Sequence, residues 1–235
     1  MSMLASEQAA LHFPVQAEMP EGRRHFQLRT LLFQFLQLAF GSVATVGSDQ
    51  FVYWDPTEPR ACLAPDAFVR FGVPDAPFDT WKVWERGAPQ VAVEVISKSD
   101  AETWHEKLAK YKRLGVAELV WFDPAAPERP IRIWDFVGDD LLERHLPERW
   151  ARSIHLSGYW HAVDDPELGL TLRLSLDEQG THLLPTPAER HAEGRRAEAE
   201  GRRAEAEGRR AEAEARSVAE ARVRELEAEL RRRSI

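Results

Sequence analysis

The chain has 235 residues, 43% of them hydrophobic, which suffices for one folded domain of ~100–200 residues plus an appendage and excludes global disorder. A single cysteine excludes a disulfide framework and a cysteine-based zinc cluster, and no apolar run approaches the ~18–20 residues of a membrane span. Residues 186–235 carry 13 Arg and 12 Glu, so the rest holds 18 basic and 27 acidic residues, a net charge of −9 that makes it a poor salt-driven phosphate binder.

The chain order predicts an N-terminal extension, a folded body and a charged tail, with bounds at 1–21, 22–184 and 185–235. Residues 1–21 lack a basic segment followed by an apolar one, so we expect no secretion signal and a cytoplasmic protein. Helical spacing of apolar residues predicts a helix over 24–40. Short apolar runs predict strands over 43–54 (with a turn at 47–49), 66–71, 91–96, 118–122, 131–136, 140–145 and 170–176.

A second helix is predicted over 101–114, where Gly115 supplies a stop. It lies between the strands at 91–96 and 118–122, so those strands should be parallel neighbours. This order of elements predicts an α/β fold with a mixed β-sheet.

The tail contains three copies of AEGRRAE over residues 192–212. Small residues dominate the seven-residue period, whereas a stable two-stranded coiled coil wants branched aliphatic residues at its seam. Only Ala219, Val223, Leu226 and Leu230 follow coiled-coil spacing. We expect a frayed, charged helix that is either simply solvated or pairs with a second copy through its last turns.

Glu94 is the most informative residue of the body. It interrupts the run VAVEVI, which is apolar on both faces and so typical of a strand inside a covered sheet. A buried carboxylate costs several kcal/mol unless it meets a cation or hydrogen-bond donors. Glu94 is therefore either paired with an arginine or part of a functional site as a metal ligand or acid–base group.

Two further residues could join Glu94. Asp66 follows Pro65 at the start of a strand, which is either turn chemistry or a second oxygen ligand for a hard cation such as Mg²⁺. Lys107 shares a helix face with Trp104, Leu108 and Tyr111, and its ammonium either reaches out to water or points at the carboxylates.

The segments APDAFV, VAVEVISKSD and EKLAKYKRLGVAELVWFDP, in this order and spacing, resemble the Uma2 family, a group of putative restriction endonucleases in the PD-(D/E)XK nuclease superfamily. The resemblance covers about residues 22–145. Asp66 and Glu94 match the acidic residues of the family, and Lys107 matches the lysine of its helix. Thr103 stands where members usually carry aspartate, and Ile96 stands where the superfamily normally has its lysine.

The resemblance implies a three-layer restriction-endonuclease-like core and Mg²⁺-dependent hydrolysis of DNA, with Mn²⁺ as a substitute. Asp66, Glu94 and the Val95 carbonyl would bind the metal, and Lys107 would assist catalysis. The competing hypothesis is a catalytically inactive nuclease-like module that assembles, as a homodimer for example, through its C-terminal helix. Thr103 and the acidic body favour that alternative.

Overall fold

The computed structural model describes residues 11, 13–14, 22–97, 103–146 and 148–233. In chain order the elements are α1 (Arg23–Phe40), β1 (Ala44–Gly47), β2 (Val52–Tyr53), β3 (Cys62–Leu63), β4 (Ala67–Phe71), β5 (Trp81–Lys82), α2 (Val83–Arg86), β6 (Val91–Val95), α3 (Trp104–Leu114), β7 (Glu118–Phe122), β8 (Ile131–Val137), β9 (Asp140–Glu143), β10 (Trp150–Ser153), β11 (Gly158–Asp165), β12 (Gly169–Ser175) and α4 (Pro187–Arg233). Most of the predicted N-terminal extension, and residues 98–102 with the predicted start of the second helix, lie outside the described residues.

A six-stranded sheet forms the centre of the body, in the order β1-β4-β6-β7-β8-β9. Strands β6 and β7 are parallel, as the sequence predicts, and the other neighbours are antiparallel. Two three-stranded sheets accompany it: the second sheet has the order β10-β11-β12, and the third has the order β3-β2-β5. The predicted mixed sheet is therefore confirmed.

The central sheet is covered on both faces, which gives three layers. Helix α1 buries Leu28, Leu32, Phe35 and Leu36 against one face, in a cluster that also contains the second sheet. Helix α3 buries Tyr111 against the other face, beside Ala92 and Leu119. Valines 91, 93 and 95 of β6 contact the α1 side, and Ala92 contacts the α3 side, so alternate residues of one strand serve two cores.

A buried carboxylate ties the second sheet to the first. Glu118 of β7 has no exposed surface, and it accepts hydrogen bonds from Ser153 Oγ at 2.6 Å, from the Ile154 N–H at 3.0 Å and from Arg144 Nη2 at 3.1 Å. Such a charge is tolerated because its acceptor positions are filled. The ion pair of Glu118 with Arg144 stabilises the fold. Glu118 is the first residue of β7, and Phe122 is the last residue of that strand.

Residues Pro187–Arg233 form one uninterrupted helix, in a unit separate from residues 1–186. The charged C-terminal helix is thus confirmed, and it continues through Gly194, Gly201 and Gly208 rather than fraying there. Every side chain of Pro187–Arg233 is exposed or partly exposed. Among the described residues, no helix combines the length and the apolar character needed to cross a bilayer.

Candidate active site

Two acidic residues lie at one end of a pair of neighbouring strands. Asp66 directly precedes β4, and Glu94 is the penultimate residue of β6. The antiparallel register pairs Ala67 with Val93, so the next residues outward on the two strands are Asp66 and Glu94. Sheet geometry therefore brings together residues that are 28 positions apart in the sequence.

Asp66 is held by donors from the strand and from α1. Its carboxylate is nearly buried, and Oδ2 accepts a hydrogen bond from the Val95 N–H at 2.7 Å. His25 Nε2 lies 3.2 Å from the same oxygen, and Arg29 Nε lies 4.0 Å from Oδ1. The Val95 carbonyl oxygen also contacts His25 Nε2, at 2.8 Å. The N–H that binds Asp66 belongs to the residue directly after Glu94, which places the two carboxylates side by side.

Glu94 is held by donors from α3 on the other face. Its side chain is 6% exposed. Lys107 Nζ lies 2.9 Å from Oε2, and the Tyr111 hydroxyl donates to Oε1. Burial raises the pKa of Glu94 to about 7, and the nearby Asp66 charge adds to this rise, while Lys107 and Tyr111 oppose it. Burial therefore disfavours the charged form of Glu94 more than Lys107 and Tyr111 favour it.

Lys107 lies in α3, a helix with a defined cap at each end. Thr103 is its N-cap in a capping box, where the Glu106 N–H donates to Thr103 Oγ1 and the Glu106 carboxylate accepts from the Thr103 N–H. The helix ends at Gly115, whose φ of 76° suits glycine. Between these ends Lys107 and Tyr111 lie one turn apart, on the face turned to Glu94. Thr103, which departs from the family pattern, has a clear structural role here.

The structure brings the sequence-predicted residues into one neighbourhood. Asp66 and Val95 share a hydrogen bond, Glu94 is the covalent neighbour of Val95, and Lys107 contacts Glu94. The Lys107 side chain is only 18% exposed, and its ammonium also lies 5.9 Å from the ring centroid of Trp121, the register partner of Glu94. Of the two alternatives for Lys107, the structure therefore has the ammonium at the carboxylate.

Two side chains of α1 at this site were not identified from the sequence, His25 and Arg29. The sequence feature that could have identified them is helical spacing. His25 and Arg29 fall on the same face of α1 as two buried residues, Leu28 and Leu32. A polar residue that extends a buried face must find partners inside the protein. Those partners, Asp66 and Val95, are 41 and 70 residues from His25 along the chain.

A cavity of about 380 Å³ opens beside His25. Its walls come from the start of α1, the residues after β6 and the residues after β7, namely Gly22, Arg24, His25, Leu28, Ile96, Ser97, Pro124 and Ala125. Space for a ligand therefore lies next to the Asp66 side of the site.

The donor atoms suit a hard divalent cation. Asp66 and Glu94 offer carboxylate oxygens and Val95 a carbonyl oxygen, which are the ligands that Mg²⁺ and Mn²⁺ accept. As the side chains stand, they are directed at protein donors, and within the described ranges no three His, Cys, Asp or Glu side chains form a ready-made metal cluster. The raised pKa of Glu94 nevertheless marks a site in which added positive charge would be favourable.

The chain is similar to a solved structure and matches the model of a protein family. A crystal structure described as "a putative nuclease belonging to DUF820 from Anabaena variabilis ATCC 29413" is 12% identical, with a TM-score of 0.43, over 59% of this chain and 75% of that one. No curated protein matches the sequence. The model of the Uma2 family, described as "Putative restriction endonuclease", matches residues 15–147. That match covers more than half of the 235 residues and includes Asp66, Glu94 and Lys107, and the chain therefore belongs to the Uma2 family.

Proposed function

We propose that this protein is a divalent-metal-dependent endonuclease that hydrolyses DNA phosphodiester bonds, with Asp66, Glu94 and Lys107 at its active site. The observation that carries the proposal is the Lys107 ammonium 2.9 Å from the buried Glu94 carboxylate, beside Asp66. Two acids and one lysine converging at a strand end are the parts that metal-assisted phosphoryl chemistry uses. Membership of a family described as restriction endonucleases supports the same reaction class.

The metal would be held by the carboxylates of Asp66 and Glu94 and by the Val95 carbonyl, and these oxygen ligands suit both Mg²⁺ and Mn²⁺. When bound, such an ion polarises a phosphoryl oxygen and lowers the pKa of a coordinated water. Asp66 is already oriented by the Val95 N–H, and Glu94 by the Tyr111 hydroxyl. These hydrogen bonds fix the direction of both carboxylates before substrate arrives, which lowers the cost of assembling the site.

Lys107 supplies the positive charge that the protein itself brings to the reaction. Its ammonium lies at the carboxylate end of β6, where it can neutralise charge that develops on a phosphate during attack by water. The neighbouring carboxylates favour the charged ammonium, so charge stabilisation is a better role for it than proton abstraction. Trp121 covers one side of the ammonium and limits its contact with water.

DNA as the partner follows from the reaction class, and the charge of the body shapes how it would bind. Outside the tail the net charge is −9, so counterion release from a broad basic surface cannot dominate the affinity. Lys112 and Arg113 in the last turn of α3 are exposed, and Lys112 pairs with Asp140 at 3.2 Å. We infer that DNA affinity depends on the metal and on a few local cations near the site.

The test is cleavage of supercoiled plasmid by the full-length protein. We expect nicking or linearisation with Mg²⁺ or Mn²⁺, which stops on addition of EDTA and is lost in Glu94→Ala. Glu128→Ala removes an exposed carboxylate and serves as the matched control that keeps activity. Robust cleavage by Glu94→Ala would refute the proposed site.

A second candidate function is assembly through α4. Val223, Leu226 and Leu230 follow coiled-coil spacing and are 54%, 44% and 65% exposed. We infer that these side chains pair with those of a second copy to form a homodimer, which would suit cleavage of two strands. Sedimentation of the full chain and of a chain without residues 189–235 tests this. We expect the full chain to be a dimer and the shortened chain a monomer, and a monomeric full chain would rule the homodimer out.

A further inference from the structure

His25 faces the oxygen atoms that the proposed function assigns to the metal. Its Nε2 lies 2.8 Å from the Val95 carbonyl oxygen and 3.2 Å from Asp66 Oδ2. Both partners are acceptors, so one ring nitrogen is directed at the point where two predicted metal ligands meet.

The placement of His25 is fixed by the fold. It lies in the first turn of α1, one turn before Leu28 and on the same face, and Leu28 is buried against the central sheet. The imidazole itself is 19% exposed. Because α1 packs on the face opposite to α3, His25 approaches the site from the side away from Lys107.

His25 Nε2 lies at the distance from each oxygen atom that separates neighbouring ligands of one ion. In an octahedral site with bonds of about 2.0–2.1 Å, adjacent ligand atoms are about 2.8–3.0 Å apart. The separations of Nε2 from the two oxygen atoms, 2.8 and 3.2 Å, are close to that edge. A small shift of the imidazole, in the tautomer that has its hydrogen on Nδ1, would turn this contact into shared coordination.

We propose that His25 is a nitrogen ligand of the divalent-cation site, and that it gives the site a preference for Mn²⁺ and similar first-row transition ions over Mg²⁺ and Ca²⁺. The proposal rests on the proposed function, since it adds a ligand to the same centre. Carboxylate and carbonyl oxygens alone suit Mg²⁺, whereas an imidazole nitrogen favours transition ions. The ligand set would then be Asp66, Glu94, the Val95 carbonyl and His25, which leaves two octahedral positions for water or phosphate.

The contrasting role for His25 is that of a positioning residue, which only donates a hydrogen bond to Asp66 and Val95. In that role His25 would hold the oxygen ligands without touching the ion. Its loss would then weaken Mg²⁺ and Mn²⁺ binding to a similar degree. A ligand role predicts a selective loss of Mn²⁺ affinity and a direct magnetic coupling between Mn²⁺ and an imidazole nitrogen.

The experiment measures metal binding by the full-length protein without DNA. Isothermal titration with MnCl₂ and MgCl₂ gives both dissociation constants for the wild type, His25→Ala, His25→Gln and Glu94→Gln, with His105→Ala as control for an exposed histidine. Pulsed EPR of bound Mn²⁺ detects coupling to ¹⁴N. We expect His25→Ala and His25→Gln to raise the Kd for Mn²⁺ at least ~10-fold and that for Mg²⁺ less than ~3-fold, and to abolish the ¹⁴N coupling.

The outcomes separate this inference from the proposed function. Mn²⁺ binding that needs Glu94, with no ¹⁴N coupling in the wild type, would overturn the role of His25 and leave the metal site in place. Equal losses for Mn²⁺ and Mg²⁺ in the His25 variants would also overturn it. Absence of Mn²⁺ binding to the wild type, or binding that Glu94→Gln does not weaken, would overturn both proposals. The EPR spectrum of the wild type decides the question even if a His25 variant fails to fold.

Discussion

Glu94 should make the metal-free protein less stable as the pH rises toward 8. Its pKa is about 7 in the folded protein, against an ordinary value of 4.5, because the carboxyl is buried beside Asp66. Between these pH values the folded state binds more protons than the unfolded state, so the free energy of unfolding falls as pH rises. At 1.36 kcal/mol per pKa unit the full effect is about 3 kcal/mol, of which roughly 2–3 kcal/mol falls between pH 5 and pH 8.

Urea denaturation of Glu94→Gln and of the wild type in EDTA, at pH 5, 6, 7 and 8, measures this effect. We expect the wild type to lose roughly 2–3 kcal/mol more than Glu94→Gln across this range, because glutamine has no proton to lose. Burial lowers the pKa of His161, but that contribution is common to both proteins and cancels in the difference. Glu128→Gln, which removes an exposed carboxyl, should follow the wild type. Parallel curves for the wild type and Glu94→Gln would refute the assignment of a raised pKa to Glu94.

Three other perturbations have expected outcomes. Lys107→Met should lower the single-turnover rate of DNA cleavage by ~10²-fold or more, whereas Arg216→Met, which removes an exposed charge from α4, should change it less than ~3-fold. Equal effects would argue against a site role for Lys107. Glu118→Ala should cost about 3 kcal/mol in urea unfolding, because it leaves Arg144 with one acidic partner fewer and the second sheet without its anchor; a loss below ~1 kcal/mol would contradict this. Removal of residues 189–235 should leave the melting temperature of the body within ~2 °C, since Pro187–Arg233 buries no side chain; a larger drop, seen by calorimetry, would show that α4 supports the body.

The elements with strong periodicity could be predicted from the sequence. Apolar spacing placed the first helix at 24–40, and the structure has α1 at Arg23–Phe40. The run at 118–122 is strand β7, and the run at 91–96 is β6, one residue shorter. These segments are buried on one or both faces, so the spacing of their apolar residues follows from the faces that pack against other elements.

The second sheet was largely missed, and its turn shows why. Strands β10 and β11 pair across residues 154–157, where Ser157 adopts a φ of 52°. Tight hairpins with a positive φ usually carry glycine or asparagine there, so the sequence lacked the usual hairpin signal. The strands are also defined by a distant contact, because Ser153, at the end of β10, donates a hydrogen bond to Glu118 of β7. A long-range anchor of this kind leaves no local pattern.

Some residues of the candidate site could likewise be predicted from the sequence, and others could not. Glu94 could be proposed because it is a carboxylate inside an apolar strand, whereas Asp66 and Lys107 were proposed from their match to the family pattern around Glu94. His25 breaks no local rule, since a histidine in the first turn of an amphipathic helix is unremarkable until its partners are known. Its contacts with Asp66 and Val95 exist only after α1 has packed on the sheet.

The site therefore depends on all three layers of the body at once. Donors from α1 hold the Asp66 carboxylate from one face, and donors from α3 hold the Glu94 carboxylate from the other. Burial raises the pKa of Glu94 to about 7 and the Asp66 charge adds to this rise, so these donors offset only in part the cost of two charged carboxylates. A divalent cation between them would supply the missing charge. The same helices that bury the apolar faces of the sheet thus hold an anionic site together, and a bound divalent cation would bring positive charge for a polyanionic substrate to the reaction centre of a body whose net charge is −9.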